Sequence, residues 1–71
     1  MEVLEKLASL IHEQWMEWSK TIAKTEKISP ERLHRWAYYW KPYEELDEKS
    51  KDRDRKWARR FMEVMDDNRQ S

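Results

Sequence analysis

Large apolar residues recur along the first third of the chain at helical intervals. Their spacings are three, four, four, three and four residues, which places them on one face of an α-helix. These residues are Leu4, Leu7, Ile11, Trp15, Trp18 and Ile22. Glu13 and Glu17 fall towards the opposite side, and neither glycine nor proline interrupts the pattern. The pattern predicts a half-solvated helix from Glu2 to about Lys24.

A shorter second helix is predicted to follow a polar turn over residues 25–27. Ser29 fits the N-cap position, because its hydroxyl can accept a hydrogen bond from an early backbone N–H, and Pro30 fits the first helical position, which needs no N–H. Pro42 disfavours helical angles in the residue before it, so the helix is predicted to end near Trp40. The predicted buried stripe of this helix is Leu33, Trp36, Ala37 and Trp40.

The last helix is predicted to begin near Asp47, a residue type favoured at N-caps. Tyr43 and Leu46, in the connector before it, are expected to be anchored in the core. Nothing apolar remains in residues 66–71, so this end is expected to fray. The predicted apolar face of the helix is Trp57, Phe61, Val64 and Met65, with Ala58 alongside. The sequence therefore predicts an all-α domain of three helices.

Composition limits what such a domain can be. The chain has 71 residues and a mass of 9.0 kDa, so residues 1–71 are expected to form one domain. It has no cysteine, which excludes disulfides and thiolate metal sites, and no glycine, which excludes phosphate-cradling loops. The 15 basic and 15 acidic residues cancel, which argues against nucleic acid as a partner. Because so short a chain has little core, a homodimer or a bound partner would add stability.

No segment has the pattern of a membrane span or a secretion signal. The longest apolar run, residues 36–40, is far shorter than the ~20 residues that cross a bilayer. Glu2 and Glu5 stand near the N-terminus, where a signal peptide carries basic residues. We therefore expect no membrane partner and a cytoplasmic location.

The two histidines are the first candidates for metal ligands, but both lack the required companions. His12 and Glu13 begin an H-E-x-x-H pattern, yet Met16 stands where its second histidine belongs. Glu31 and His34 have the Glu-x-x-His spacing of di-iron bundles, which need two such pairs. The serines have no base nearby in sequence, and the carboxylates alternate with basic residues as on a solvated surface. We expect no metal, no cofactor and no catalytic residues, and therefore no enzyme.

Aromatic residues are concentrated at the end of the second helix. Residues 36–40 cover all of its faces, because each residue turns the helix by about 100°. Tyr38 or Tyr39 is therefore expected to be partly exposed, where a ring with a hydroxyl suits a ligand or a protein partner. The alternative is that these rings only cover the edge of a small core.

Asp54 is a carboxylate in line with an apolar stripe, three residues before Trp57 and seven before Phe61. Burial of an unpaired carboxylate is costly, so Asp54 needs hydrogen-bond donors. His12, Lys41, a tyrosine hydroxyl or backbone N–H groups of the connector could supply them. A structural clamp and a ligand contact are both open roles for this residue.

The connector and the start of the last helix carry a family resemblance. Residues 42–55 resemble the P-Y-x-x-L-x-x-x-x-K-x-x-D-R signature of ryanodine-receptor-type (RyR) repeat domains. Upstream, the I-H-x-x-W pattern of residues 11–15 is similar to the first helix of that family. The resemblance extends over residues 4–65, but the glycine-containing G-W-x-Y-G loop of the family has no counterpart in this glycine-free chain.

This resemblance implies a module of two long antiparallel helices with a variable connector, and a non-enzymatic role. Such domains occur in large calcium channels and as small bacterial and phage proteins, and this chain resembles the small stand-alone phage form. Recognition of nucleotide-derived ligands has been proposed for the prokaryotic members. The residues that match the family are His12, Trp15, Tyr43, Leu46, Lys51, Asp54 and Arg55.

Two hypotheses about function follow. In the first, the chain is a binding module for a nucleotide-type small ligand or a host protein, with an arginine on a phosphate and a tyrosine stacked on a base. In the second, it is a protein-interaction or inhibitor domain that acts on a host target without a small ligand. The candidate contact residues are His12, Tyr38, Tyr39, Tyr43 and Arg55, with Asp54 as the structural clamp.

Overall fold

The computed structural model describes residues 2–70, with side chains over residues 2–68. This part of the chain contains three α-helices and no strand, which confirms the all-α fold class. The helices are α1 (Val3–Thr25), α2 (Pro30–Tyr38) and α3 (Glu48–Gln70), with a 3₁₀ turn at Tyr43–Glu45 before α3. The two long helices, α1 and α3, pack antiparallel with α2 between them in sequence. The molecule is elongated, with extents of 47, 24 and 15 Å.

Small residues lie where α1 and α3 meet. Ala8 and Ala58 have no exposed surface, and Ser50 is 8% exposed. Small side chains let two helix backbones approach closely. Tyr43 and Leu46 of the connector are also buried and complete the core, which confirms their predicted anchoring.

The buried face of α1 is displaced from the predicted one. Its buried residues are Ala8, His12 and Ser19, whereas the larger apolar residues flank that line. Leu4, Leu7 and Ile11 are only partly buried, packed against the edge of the core. Trp18 is 56% exposed. The prediction was therefore wrong about the centre of the buried face. Small and polar side chains make the close contact with α3, and the bulky apolar side chains lie beside them.

The predicted apolar face of α3 is exposed rather than buried. Among the α3 side chains that the structure describes, Ser50 and Ala58 are the buried ones, with Asp54 partly buried on the line between them. Trp57 precedes Ala58 by one residue, so its side chain leaves the helix about 100° away from that line. The exposed apolar residues are Trp57, Phe61, Val64 and Met65.

The predicted helix starts are confirmed. Ser29 Oγ accepts a hydrogen bond from the Arg32 backbone N–H at 3.3 Å, and Pro30 occupies the first turn. At the start of α3, hydrogen bonds from the Ser50 side chain and backbone lower the pKa of Asp47, as expected for an N-cap carboxylate.

The helix ends differ from the prediction by a few residues. Helix α2 stops at Tyr38 instead of Trp40. Helix α3 continues to Gln70, where fraying was expected from residue 66, because neither proline nor glycine interrupts its backbone hydrogen bonds. Ser71 lies outside the described residues.

Helix α2 contributes less to the core than its sequence predicts. None of its residues is buried: Leu33 is 40% exposed and Ala37 is exposed as well. Trp36 holds the helix to α1, with its ring edge-on to Trp15 at 6.2 Å and tilted against Trp18 at 5.9 Å. Helix α2 has only nine residues, and the face that it turns towards α1 makes aromatic ring contacts.

Candidate functional site

Glu5 of α1 lies at the centre of a closed polar cluster with Tyr43 and Arg55, called here the Glu5 cluster. Arg55 donates to its carboxylate from Nη2 at 2.6 Å and from Nε at 3.1 and 3.2 Å, and the Tyr43 hydroxyl donates at 2.5 Å. The hydrogen bonds from Arg55 and Tyr43 lower the pKa of Glu5 to about 2. Burial, followed by the bond to Glu5, raises the pKa of Tyr43. The cluster ties α1, the connector and α3 together.

Two predicted ligand residues, Tyr43 and Arg55, are therefore engaged within the fold. The remaining Arg55 donors face Asp52 at 2.9 Å and Glu48 at 3.5 Å. A guanidinium surrounded by three carboxylates offers little to a phosphate. Sequence reasoning missed Glu5, although it stands three residues before the buried Ala8 and so shares its helix face.

A second polar contact between the long helices is more open. His12 is 4% exposed, and its Nε2 donates to the Lys41 carbonyl at 2.8 Å. Its Nδ1 lies 3.6 Å from Asp54 Oδ2, which is too long for a hydrogen bond. Burial raises the pKa of Asp54, while His12 and Arg53 oppose that shift. Asp54 thus keeps acceptor capacity that its neighbours in the fold do not fill.

Asp54 opens into a cavity of about 150 Å³, called here the aromatic cavity. Its lining residues are His12, Trp15, Tyr39, Leu46, Ser50, Arg53 and Asp54. The His12 and Trp15 rings are stacked, with centroids 5.9 Å apart and planes 21° apart. Tyr39 stands edge-on to Trp15 at 6.3 Å, and the Arg53 guanidinium lies 5.7 Å over the Tyr39 ring. Flat rings therefore line the cavity together with the Asp54 carboxylate, the Arg53 guanidinium and the hydroxyls of Ser50 and Tyr39.

The structure divides the predicted contact residues into three places. His12, Tyr39 and Asp54 meet at the aromatic cavity, while Tyr43 and Arg55 belong to the Glu5 cluster. Tyr38 is 59% exposed, and the Lys41 ammonium lies 4.2 Å over its ring. Tyr38 and Tyr39 together fit the expectation that one of the pair is partly exposed.

Sequence reasoning gave Trp15 only as a family match and did not name Ser50 or Arg53 among the candidate contact residues. Trp15 was predicted to lie in the apolar stripe of α1, although its position in the I-H-x-x-W pattern could have indicated a site residue. Ser50 lies four residues before Asp54 on the same helix face, and this spacing could have indicated it. Arg53 had no distinguishing signal within a run of charges.

Over the described part of the chain, no three His, Asp or Glu side chains converge as a metal site requires. No helix there is long and apolar enough to cross a bilayer. Comparison with known proteins gives no match: no family model, no curated protein and no solved structure matches the chain.

Proposed function

We propose that the protein is a non-enzymatic binding module of the RyR type, encoded by a phage or prophage and acting in the host cytoplasm. Its ligand would be of the nucleotide type, with the base held in the aromatic cavity. One observation carries this proposal: His12, Tyr39 and Asp54, three residues singled out by sequence, line the same cavity.

The size of the cavity indicates how much of a nucleotide it would hold. Pockets for drug-sized ligands measure roughly 300–1,000 Å³, and this cavity measures about 150 Å³. A single planar ring system suits it, and the sugar and phosphate would stay outside. Arg53 is exposed and lies beside Tyr39, so its guanidinium can meet a phosphate there.

The polar groups of the cavity favour a particular hydrogen-bonding edge. An ionised carboxylate such as that of Asp54 only accepts hydrogen bonds. A base with two adjacent N–H donors, as on the Watson–Crick edge of guanine, complements it better than a base that presents an acceptor there. The Ser50 hydroxyl donates its single proton to Asp47, so towards a ligand it can only accept, which also favours an N–H donor.

The proposal can be tested by calorimetric titration of the full chain with guanosine and adenosine nucleotides and cyclic dinucleotides. We expect binding of a guanine nucleotide, weakened about tenfold or more by Asp54→Asn, which replaces an acceptor by a donor. Asp66→Asn, an exposed change elsewhere on α3, is the matched control. No heat with any nucleotide at millimolar concentration would overturn the proposal, and so would binding that Asp54→Asn leaves unchanged.

A protein-interaction or inhibitor domain is the second candidate function, favoured by a groove between the end of α1 and α2. It measures about 480 Å³, and its apolar lining residues are Trp18, Ile22, Ile28 and Trp36. Trp18 is 56% exposed and could serve as an anchor for a host protein. This function predicts a stoichiometric complex that Trp18→Ala abolishes and Asp54→Asn preserves, the reverse of the outcome for the nucleotide ligand.

A further inference from the structure

The second half of α3 carries an apolar stripe that nothing in the described chain covers. Trp57, Phe61, Val64 and Met65 form it, and they are 50, 52, 66 and 48% exposed. We call these four residues the α3 stripe. Their spacings of four, three and one residues keep them on adjoining helix positions, as in the seam of a coiled coil. Contiguous exposed apolar side chains of this kind are typical of interaction surfaces.

Charged residues border the α3 stripe on the side away from α1. Read at about 100° per residue, five of them fall in one sector next to Trp57. In chain order they are Arg53, Lys56, Arg60, Glu63 and Asp67. The Arg60 guanidinium and the Lys56 ammonium lie 5.3 and 6.0 Å over the Trp57 ring, which confirms their place beside the stripe. This flank is therefore basic at its beginning and acidic at its end.

We propose that the α3 stripe binds the α3 stripe of a second copy of this chain, with the two helices antiparallel. A two-fold axis near Phe61 inverts one helix relative to the other, so each basic half-flank meets the acidic half-flank of its partner. Arg60 then faces the partner's Glu63, Lys56 faces the partner's Asp67, and each pair forms twice by symmetry. A parallel arrangement would place the charged flank against the α1 side of the partner and leave these charges unmatched. Charge complementarity thus selects both the occupant and its direction.

The area of the α3 stripe indicates how tight this dimer would be. An aromatic side chain buries about 150–250 Å², so the exposed halves of Trp57 and Phe61 offer about 100 Å² each. With Val64, Met65 and the charged flank, the contact approaches the ~1,000 Å² in total that specific interfaces need. Interfaces at this lower bound are mostly weak and transient, so we expect a micromolar Kd, with a dimer that forms at high concentration and dissociates on dilution.

Sedimentation equilibrium of the full chain from about 1 to 500 µM, a range that brackets a micromolar Kd, tests the dimer directly. We expect a monomer–dimer equilibrium in the wild type, and a monomer throughout for Phe61→Glu with its helical circular dichroism intact. Phe61 is half exposed, so this substitution leaves the α1–α3 core in place. A wild type that stays monomeric at 500 µM, or a Phe61→Glu variant that dimerises like wild type, overturns the proposal.

A charge swap tests the direction of the helices. Lys56→Glu and Asp67→Lys should each weaken the dimer about tenfold, because each places like charges together. The double variant should recover most of the loss, since it re-forms the pair with reversed signs. Arg59→Glu, on the opposite side of α3, is the control and should leave the dimer unchanged. Absence of recovery in the double variant overturns the antiparallel arrangement. None of these substitutions touches the aromatic cavity, so the outcome is independent of nucleotide binding.

Discussion

The two polar contacts between α1 and α3 use similar residue types and have opposite character. In the Glu5 cluster, one carboxylate receives the hydrogen bonds of an arginine and a tyrosine at 2.5–3.2 Å. At His12 and Asp54, the facing atoms are 3.6 Å apart, and a cavity opens beside them. The first arrangement uses its hydrogen-bonding capacity within the fold, whereas the second keeps part of it available. The Glu5 carboxylate therefore holds the helices together, whereas the Asp54 carboxylate has acceptor capacity left for a ligand.

Burial alone would not reveal this difference. The side chains of Glu5 and Asp54 are 26 and 17% exposed, and both stand opposite a cationic or ionisable partner on the other helix. What differs is the number and length of the hydrogen bonds, and hence the direction of the pKa shift. The pKa of Glu5 is lowered and that of Asp54 is raised. A carboxylate that the fold does not fully satisfy is the better candidate for a ligand contact.

The largest effect should come from breaking the Glu5 cluster at Arg55. Arg55→Met keeps the aliphatic stem but leaves the Glu5 carboxylate without its main donor, so the melting temperature should fall more than for any other substitution discussed here. Thermal melts followed by circular dichroism measure it, with the exposed Arg59→Met as the matched control. Equal melting of the two variants would show that the cluster contributes no stability.

Removal of the Tyr43 hydroxyl should have the next largest effect. Tyr43→Phe preserves the buried ring and deletes one hydrogen bond to a charged acceptor, which costs about 2 kcal/mol. In a domain of this size the melting temperature should fall by roughly 10 °C. In a double-mutant cycle with Glu5→Gln, the two losses should be strongly non-additive. Additive losses would mean that the hydroxyl and the carboxylate do not act together.

Acid should affect the two contacts in opposite directions. Glu5 has a pKa of about 2 in the folded chain against an ordinary 4.5, so its contribution is complete above about pH 4.5 and is lost as the pH falls towards 2. The pKa of Asp54 is raised above 3.8, so the folded state takes up that proton first and gains stability as the pH falls through this pKa. Melting temperatures between about pH 6 and 2 should fall less steeply for Glu5→Gln and more steeply for Asp54→Asn than for wild type. Equal slopes of melting temperature against pH for all three proteins would show that the Glu5 and Asp54 carboxylates do not respond to acid in opposite ways.

The smallest effect on stability should come from Asp54 at fixed neutral pH. Asp54→Asn breaks no short hydrogen bond, so the free energy of unfolding should change by about 1 kcal/mol or less. Asp66→Asn, an exposed change on the same helix, is the control and should change it by about 0.5 kcal/mol or less. Urea unfolding measures both. A loss at Asp54 as large as that of Tyr43→Phe would make it a structural clamp of the same rank as the Glu5 cluster.

Local sequence signals predicted the helices because the chemistry that decides them is local. Ser29 and Asp47 cap their helices through backbone groups three residues away, and Pro30 and Pro42 act on their own and adjacent dihedral angles. Leu46 could be predicted as an anchor because an isolated leucine in a polar connector has few other roles. These features require no knowledge of what packs against them.

The helix faces and half of the site could not be predicted in this way. Apolar periodicity gives the direction of the bulky side chains, but α1 and α3 meet through Ala8 and Ala58, one position away from those rows. Whether Arg53 or Arg55 pairs with Glu5 depends on the axial register in which α1 packs against α3. The local sequence of either helix does not determine that register. Arg53 and Arg55 lie two residues apart in one run of charges, yet Arg55 is tied to Glu5 and Arg53 lies at the aromatic cavity.

The absence of buried residues in α2 has a consequence for how the chain opens. This helix is attached through aromatic contacts to α1, through the hydrogen bond from Trp40 Nε1 to Ser19 Oγ at 2.9 Å, and through its two chain ends. Its backbone amides can therefore become exposed while the α1–α3 pair stays intact. Hydrogen exchange of the backbone amides over Pro30–Tyr38 would then measure the local opening of α2. Denaturants or mutations that weaken the Glu5 cluster would leave these exchange rates largely unchanged.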